Sequence, residues 1–99
     1  MSNSIFHDSA IHLAKFHALQ VECSNEKRVA KIVARRAIAL GDCQVDLGQL
    51  ASAAKSYRAA VFYSHLAVEF GSRKQAVQIE KVALAKLDGL PVINRGRMC

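Results

Sequence analysis

The sequence has one proline, five glycines and no tryptophan in 99 residues. So few breakers exclude a sandwich or barrel of many short strands, which needs turn signals about every eight to twelve residues. Cysteine is scarce too. Cys23, Cys43 and Cys99 are odd in number and lack Cys-x-x-Cys spacing. That excludes a dense disulfide scaffold and gives a zinc ion no close pair of ligands. Three scattered thiols suit a reducing cytosol. Long apolar runs are missing: the longest, Ala59 to Tyr63, is far short of the roughly 20 residues that cross a bilayer. The opening Met-Ser-Asn-Ser-Ile-Phe-His-Asp has no cationic start and no apolar run before a cleavage site. These features predict a cytoplasmic protein with no membrane insertion.

Alanine, by contrast, fills sixteen positions, hydrophobic residues make up 52% and charged residues 22%. This is the composition of one globular, helix-rich domain. Lys and Arg outnumber Asp and Glu by 14 to 8, for a net charge of +6. On so small a domain that surplus favours a polyanionic partner: nucleic acid, an anionic membrane surface or an acidic protein face.

The chain's punctuation predicts four helices. Ser4 reads as the cap of a first helix from Ile5 to Cys23, with Phe6, Ala10, Leu13, His17 and Val21 along one side and Ile5, Phe16 and Leu19 beside them. Ser24 and Asn25 break the chain, and a second helix runs from Glu26 to Gly41, read as its left-handed cap. Asp46 and Gln49 form a capping-box pattern, with Val45 and Leu50 as a hydrophobic staple, and open a third helix that stops at Gly71. Leu47, Leu50, Ala54, Tyr57, Val61 and Val68 make one stripe of it; Ala59, Phe62, Tyr63, Leu66 and Phe70 make another. A helix apolar nearly all round in its C-terminal half is a central one, with Phe62 and Leu66 inside. Ser72 and Gln75 form a second capping box for a fourth helix ending near Asp88.

The expected fold is therefore an all-α, single-domain bundle of four helices, arranged as two tandem helical hairpins with the third helix central. Residues 1–89 form the helical domain and residues 90–99 a basic C-terminal tail. An offset of 46 superposes Ala14, Phe16, Ala30, Ala37, Ala39 and Asp42 on Ala60, Phe62, Ala76, Ala83, Ala85 and Asp88. It also places Lys27, Arg28 and Arg35 on Arg73, Lys74 and Lys81. Four of the six identities are alanine, so in an alanine-rich chain the repeat rests on few residues.

No pattern for catalysis or for a cofactor emerges. His7, His12 and His17 recur every five residues, about 140° apart on a helix, whereas two metal ligands need i, i+3 or i, i+4 spacing. His12 is expected at the surface, His17 on an apolar face with a partner, and His65 as a half-buried core histidine. Asp42 beside Cys43 should raise that thiol's pKa rather than activate it. Glu22 with Glu26, and Asp42 with Asp46, sit at breaks where capping explains them. No glycine-rich phosphate loop is present. The chain reads as no enzyme, with no metal and no cofactor.

The basic stripe is the most informative feature. Lys27, Arg28, Lys31 and Arg35 fall within about 100° of arc on the second helix, and no acid occurs from Lys27 through Gly41. Val29, Val33, Ala37 and Leu40 oppose them, while Arg36 interrupts the apolar face beside Ile32 and must snorkel or find a carboxylate. With Arg95 and Arg97 of the tail, these cations are the candidate binding residues. Two functions fit. The first is an adaptor, inhibitor or regulator that docks on an acidic protein surface. The second is a nucleic-acid-binding regulator that contacts phosphates through the second helix. Aromatic residues do not interleave with the cations as a stacking platform would, which favours the protein partner. Ala and Val on helix surfaces also point to a homo-oligomer.

Overall fold

The computed structural model describes residues 2–70 and 73–90, with side chains from residue 7 onward. Four helices follow one another: α1 (Ser2–Asn25), α2 (Ala30–Asp46), α3 (Leu50–Phe70) and α4 (Arg73–Asp88), with a 3₁₀ turn (Lys27–Val29) before α2. The described residues contain no strand and no helix long and apolar enough to cross a membrane.

Each helix packs on the next, and α2 also touches α4. Two bridges show that α2 and α4 run parallel. Lys31 Nζ donates to Gln75 Oε1 near both N-termini, and Lys86 Nζ lies 3.1 Å from Asp42 Oδ1 further along. The chain is thus an array of two tandem hairpins, α1 and α3 in one layer, α2 and α4 in the other. Its short dimension of 19 Å matches two helix diameters of about 10 Å. As expected, α3 lies between neighbours, α2 on one side and α4 on the other.

The core is built from small side chains. Ala30, Val33, Ala34, Ala37, Leu40 and Gly41 of α2 are buried, as are Ala53, Ser56, Tyr57, Ala60, Ser64 and Ala67 of α3. Ala76, Ile79 and Ala83 complete it from α4. Spacings of three and four residues keep each set on one face. Small residues let helix backbones approach closely, and the close-packed seam supplies the dispersion contacts that large side chains supply elsewhere. Ser56 Oγ donates to Gln44 Oε1 at 2.6 Å, and Ser64 Oγ donates to the Val61 carbonyl at 2.8 Å, so these buried hydroxyls are satisfied.

This small-residue seam overturns the expected orientation of α3. Phe62 is 62% exposed, Phe70 is exposed and Leu66 is only half-buried. The same correction applies to α1, where Leu13 is 42% and Val21 67% exposed and Phe16, Cys23 and Leu19 face inward.

Helix limits also differ from the sequence reading. α1 begins at Ser2, so Ser4 lies inside it. Glu26, at φ −133° and ψ 97°, is the break between α1 and the 3₁₀ turn. Gly41 is interior to α2, which runs on to Asp46. Asp46 therefore ends α2 and does not cap α3. The α2 terminus is a Schellman motif: Gln49 N–H donates to the Gln44 carbonyl at 2.8 Å and Gly48 N–H to the Val45 carbonyl at 3.0 Å. Gly48 takes φ +77°, which glycine adopts without a Cβ penalty. The carbonyl of Gln49 accepts the Ala53 N–H at 2.9 Å as α3 begins. The expected stop at Gly71 and capping box at Ser72 lie outside the described residues.

Candidate interaction face

The four cations of the basic stripe belong to two elements. Lys27 and Arg28 are in the 3₁₀ turn, and Lys31 and Arg35 are in α2. Arg28 is committed to a neighbour: its Nη2 and Nε donate to Glu26 Oε2 at 2.7 and 3.0 Å. That bond raises its pKa above the ordinary arginine value. Lys31 is half-buried and bonded to Gln75, while Lys27 and Arg35 are exposed. Arg95 and Arg97 lie outside the described residues. Arg36 finds an imidazole rather than a carboxylate. It pairs with His12 Nδ1 at 2.7 Å, which ties α1 to α2 and leaves His12 half-buried.

Between α2 and α4 lies a hollow of about 300 Å³ lined by Arg35, Ile38, Gln75, Gln78, Ile79 and Val82. Its floor is aliphatic. Ile38 faces α4 because it lies two turns beyond Lys31, and Ile79 and Val82 turn toward α2 from the opposite wall. Arg35 stands on the α2 rim; exposed Lys74 and Lys81 lie on the outer face of α4. The nearby carboxylates are engaged or remote. Glu80 pairs across α3 with His65 at 2.7 Å, Asp42 with Tyr57 and Lys86, and Asp46 and Asp88 close the two helices. His65 is therefore an exposed residue in contact with Glu80, not a core histidine.

A second groove of about 420 Å³ separates α1 from α3, with Leu40 and Gln44 of α2 as its floor. Phe16 and Tyr63 meet edge to face across it at 6.3 Å, and Gln20 Nε2 donates to Tyr63 Oη at 3.2 Å. His17 borders this groove, exposed and bonded to Gln20 Oε1 at 3.1 Å.

Polar chemistry concentrates where three helices meet. Tyr57 Oη donates to Asp42 Oδ1 at 2.6 Å, and the same oxygen receives Lys86. Burial first, then the bond to Asp42, pushes the phenol well above the usual tyrosine value. Burial first, then Asp8, Asp46 and Asp42, raises the Cys43 thiol. In both cases the surroundings favour the protonated form. No cluster of three or more His, Cys, Asp or Glu able to hold a metal occurs among the described residues.

The sequence reading missed the α4 wall of the hollow. The 46-residue offset pairs Arg35 with Lys81 and Arg28 with Lys74, but neither lysine lines the hollow. No protein-family model, curated protein or solved structure matches the chain.

Proposed function

We propose that the protein is a non-catalytic helical module of the cytoplasm, an adaptor, inhibitor or regulator that binds an acidic protein surface through its α2–α4 face. One observation carries this reading: the aliphatic floor of Ile38, Ile79 and Val82 adjoins exposed Arg35. Protein interfaces combine an apolar centre with a polar rim, whereas phosphate-tracking surfaces are polar and cationic throughout. Lys31 and Arg35 supply the charged edge, and steering by the net charge raises the encounter rate with an acidic partner.

The test is retention of binding partners from the source cells, with and without nuclease, by wild type and by a Lys31→Gln/Arg35→Gln variant. The reading expects a protein that survives nuclease and is lost with the two cations. Nanomolar, nuclease-sensitive binding at physiological salt would overturn it in favour of nucleic acid. In that case log affinity should fall with log salt at about −0.9 per phosphate contact, and the double substitution should flatten the slope by about two units.

Self-association is a second reading, favoured by the apolar Leu13, Val21 and Phe62 exposed on the α1–α3 layer. Sedimentation equilibrium across micromolar concentrations measures it.

A further inference from the structure

We infer that the hollow between α2 and α4 receives one amphipathic α-helix with an acidic flank. The inference rests on the proposed acidic protein partner and specifies the element of that partner that docks.

Its size argues for a helix. The lining runs from Gln75 to Val82 along α4 and takes in Arg35 and Ile38 of α2. At 1.5 Å per residue the α4 side is about 10 Å long, or two helical turns. Parallel helices packed on a common third helix leave a channel between them, and an apolar stripe with i, i+3 and i+4 spacing fits such a channel. Ile38 from one wall and Ile79 and Val82 from the other provide branched aliphatic contacts along this length.

Charge selects the acidic partner. Arg35 stands on the α2 rim, with Lys74 and Lys81 beyond Gln78 on the outer face of α4. No acid lies between Lys27 and Gly41, and Glu80, the one carboxylate of α4 before Asp88, is bound to His65 on the far side. Carboxylates on the α2-side flank of the incoming helix would therefore meet Arg35, with Lys74 and Lys81 further out on α4. Gln75 and Gln78 offer amide groups between them. Asp46 and Asp88 are the last residues of α2 and α4. This asymmetry orients the acidic flank toward the N-terminal two-thirds of the channel.

The experiment selects binders to the full-length protein from a displayed library of helical peptides about 16 residues long with randomised faces, and maps the best binder by amide chemical shifts. The inference expects enrichment of Leu, Ile or Phe at i, i+3/i+4 and i+7 with Glu or Asp alongside, and shifts centred on Ile38, Ile79 and Val82. Arg35→Glu, an exposed site that leaves the core intact, should weaken the selected peptide about tenfold. A peptide with the facing acid changed to Lys should bind that variant better than wild type. Failure to enrich any helix, enrichment of cationic sequences, or shifts in the α1–α3 groove would overturn the inference.

Poly-glutamate, run in parallel, separates the two levels. If it binds in an Arg35-dependent way while no helix seats in the channel, the basic-face reading survives and the helix is wrong. If poly-glutamate does not bind and duplex DNA does, both fail.

Discussion

The ring of Tyr57 lies directly on the bare Cα of Gly41, so that a Cβ built on Gly41 would fall 2.5 Å from Tyr57 Cε1. This contact seats α3 on α2 and aims the phenol at Asp42, which in turn holds Lys86 of α4. A glycine inside a helix costs about 1 kcal/mol relative to alanine. Here the cost is offset by an approach that no other residue permits.

Gly41→Ala should therefore destabilise the protein although alanine is the better helix former. Overpacking at about 1–3 kcal/mol outweighs a propensity gain of about 1 kcal/mol. The expected net loss by urea denaturation is up to about 2 kcal/mol. In a Tyr57→Leu background the same change should cost much less, because the clash is with the ring. Equal costs in both backgrounds would refute the contact.

Tyr57 also predicts an alkaline limit. Its folded pKa is raised above the unfolded value of about 10, so the folded state favours the neutral phenol. That contribution is fully present below pH 10 and is lost as pH rises through the folded pKa. The melting temperature of wild type should fall more steeply above pH 10 than that of Tyr57→Phe. Near neutral pH, Tyr57→Phe should lose about 1–2 kcal/mol for the hydrogen bond to Asp42. Parallel curves for the two proteins above pH 10 would count against a buried phenol.

Asp46 separates the structure from its capping-box reading. As an N-cap it would contribute about 1 kcal/mol, lost in Asp46→Ala. As the last residue of α2 it places a negative charge at the negative end of the helix dipole. Asp46→Ala should then be neutral or stabilising by a few tenths of a kcal/mol. Gly48→Ala, at φ +77° with open space around it, should cost about 1 kcal/mol from the backbone alone. Chemical denaturation of both variants measures the contrast.

The two faces of α3 can be compared directly. Phe62→Ser, at an exposed position, should change stability by well under the 3–5 kcal/mol of a core aromatic truncation. Ala60→Leu, at a fully buried position, should cost about 1–3 kcal/mol or prevent folding. A melt of each variant against wild type shows which face is inside.

Helix number, order and type were legible because they depend on local chemistry: alanine content, few breakers and apolar spacing act within one segment. The end of α4 at Asp88 was found for this reason, whereas Ser24 and Asn25, read as the first break, end α1 and the break falls at Glu26. The side of each helix that turns inward was a different matter. On α3 the sequence presents a face of large apolar residues and a face of Ala and Ser, and burial of apolar area alone favours the first. Tertiary structure chose the second, because small residues let α2 and α3 approach closely and bury whole backbones. The same choice took Gly41 from a helix end to a helix interior, since only its contact with Tyr57 on another helix explains it. The cations of α2 could be read from the chain as a stripe. Their meeting with Ile79, Val82 and Gln78 of α4 could not, because that neighbourhood exists only once two helices some 44 residues apart are laid side by side.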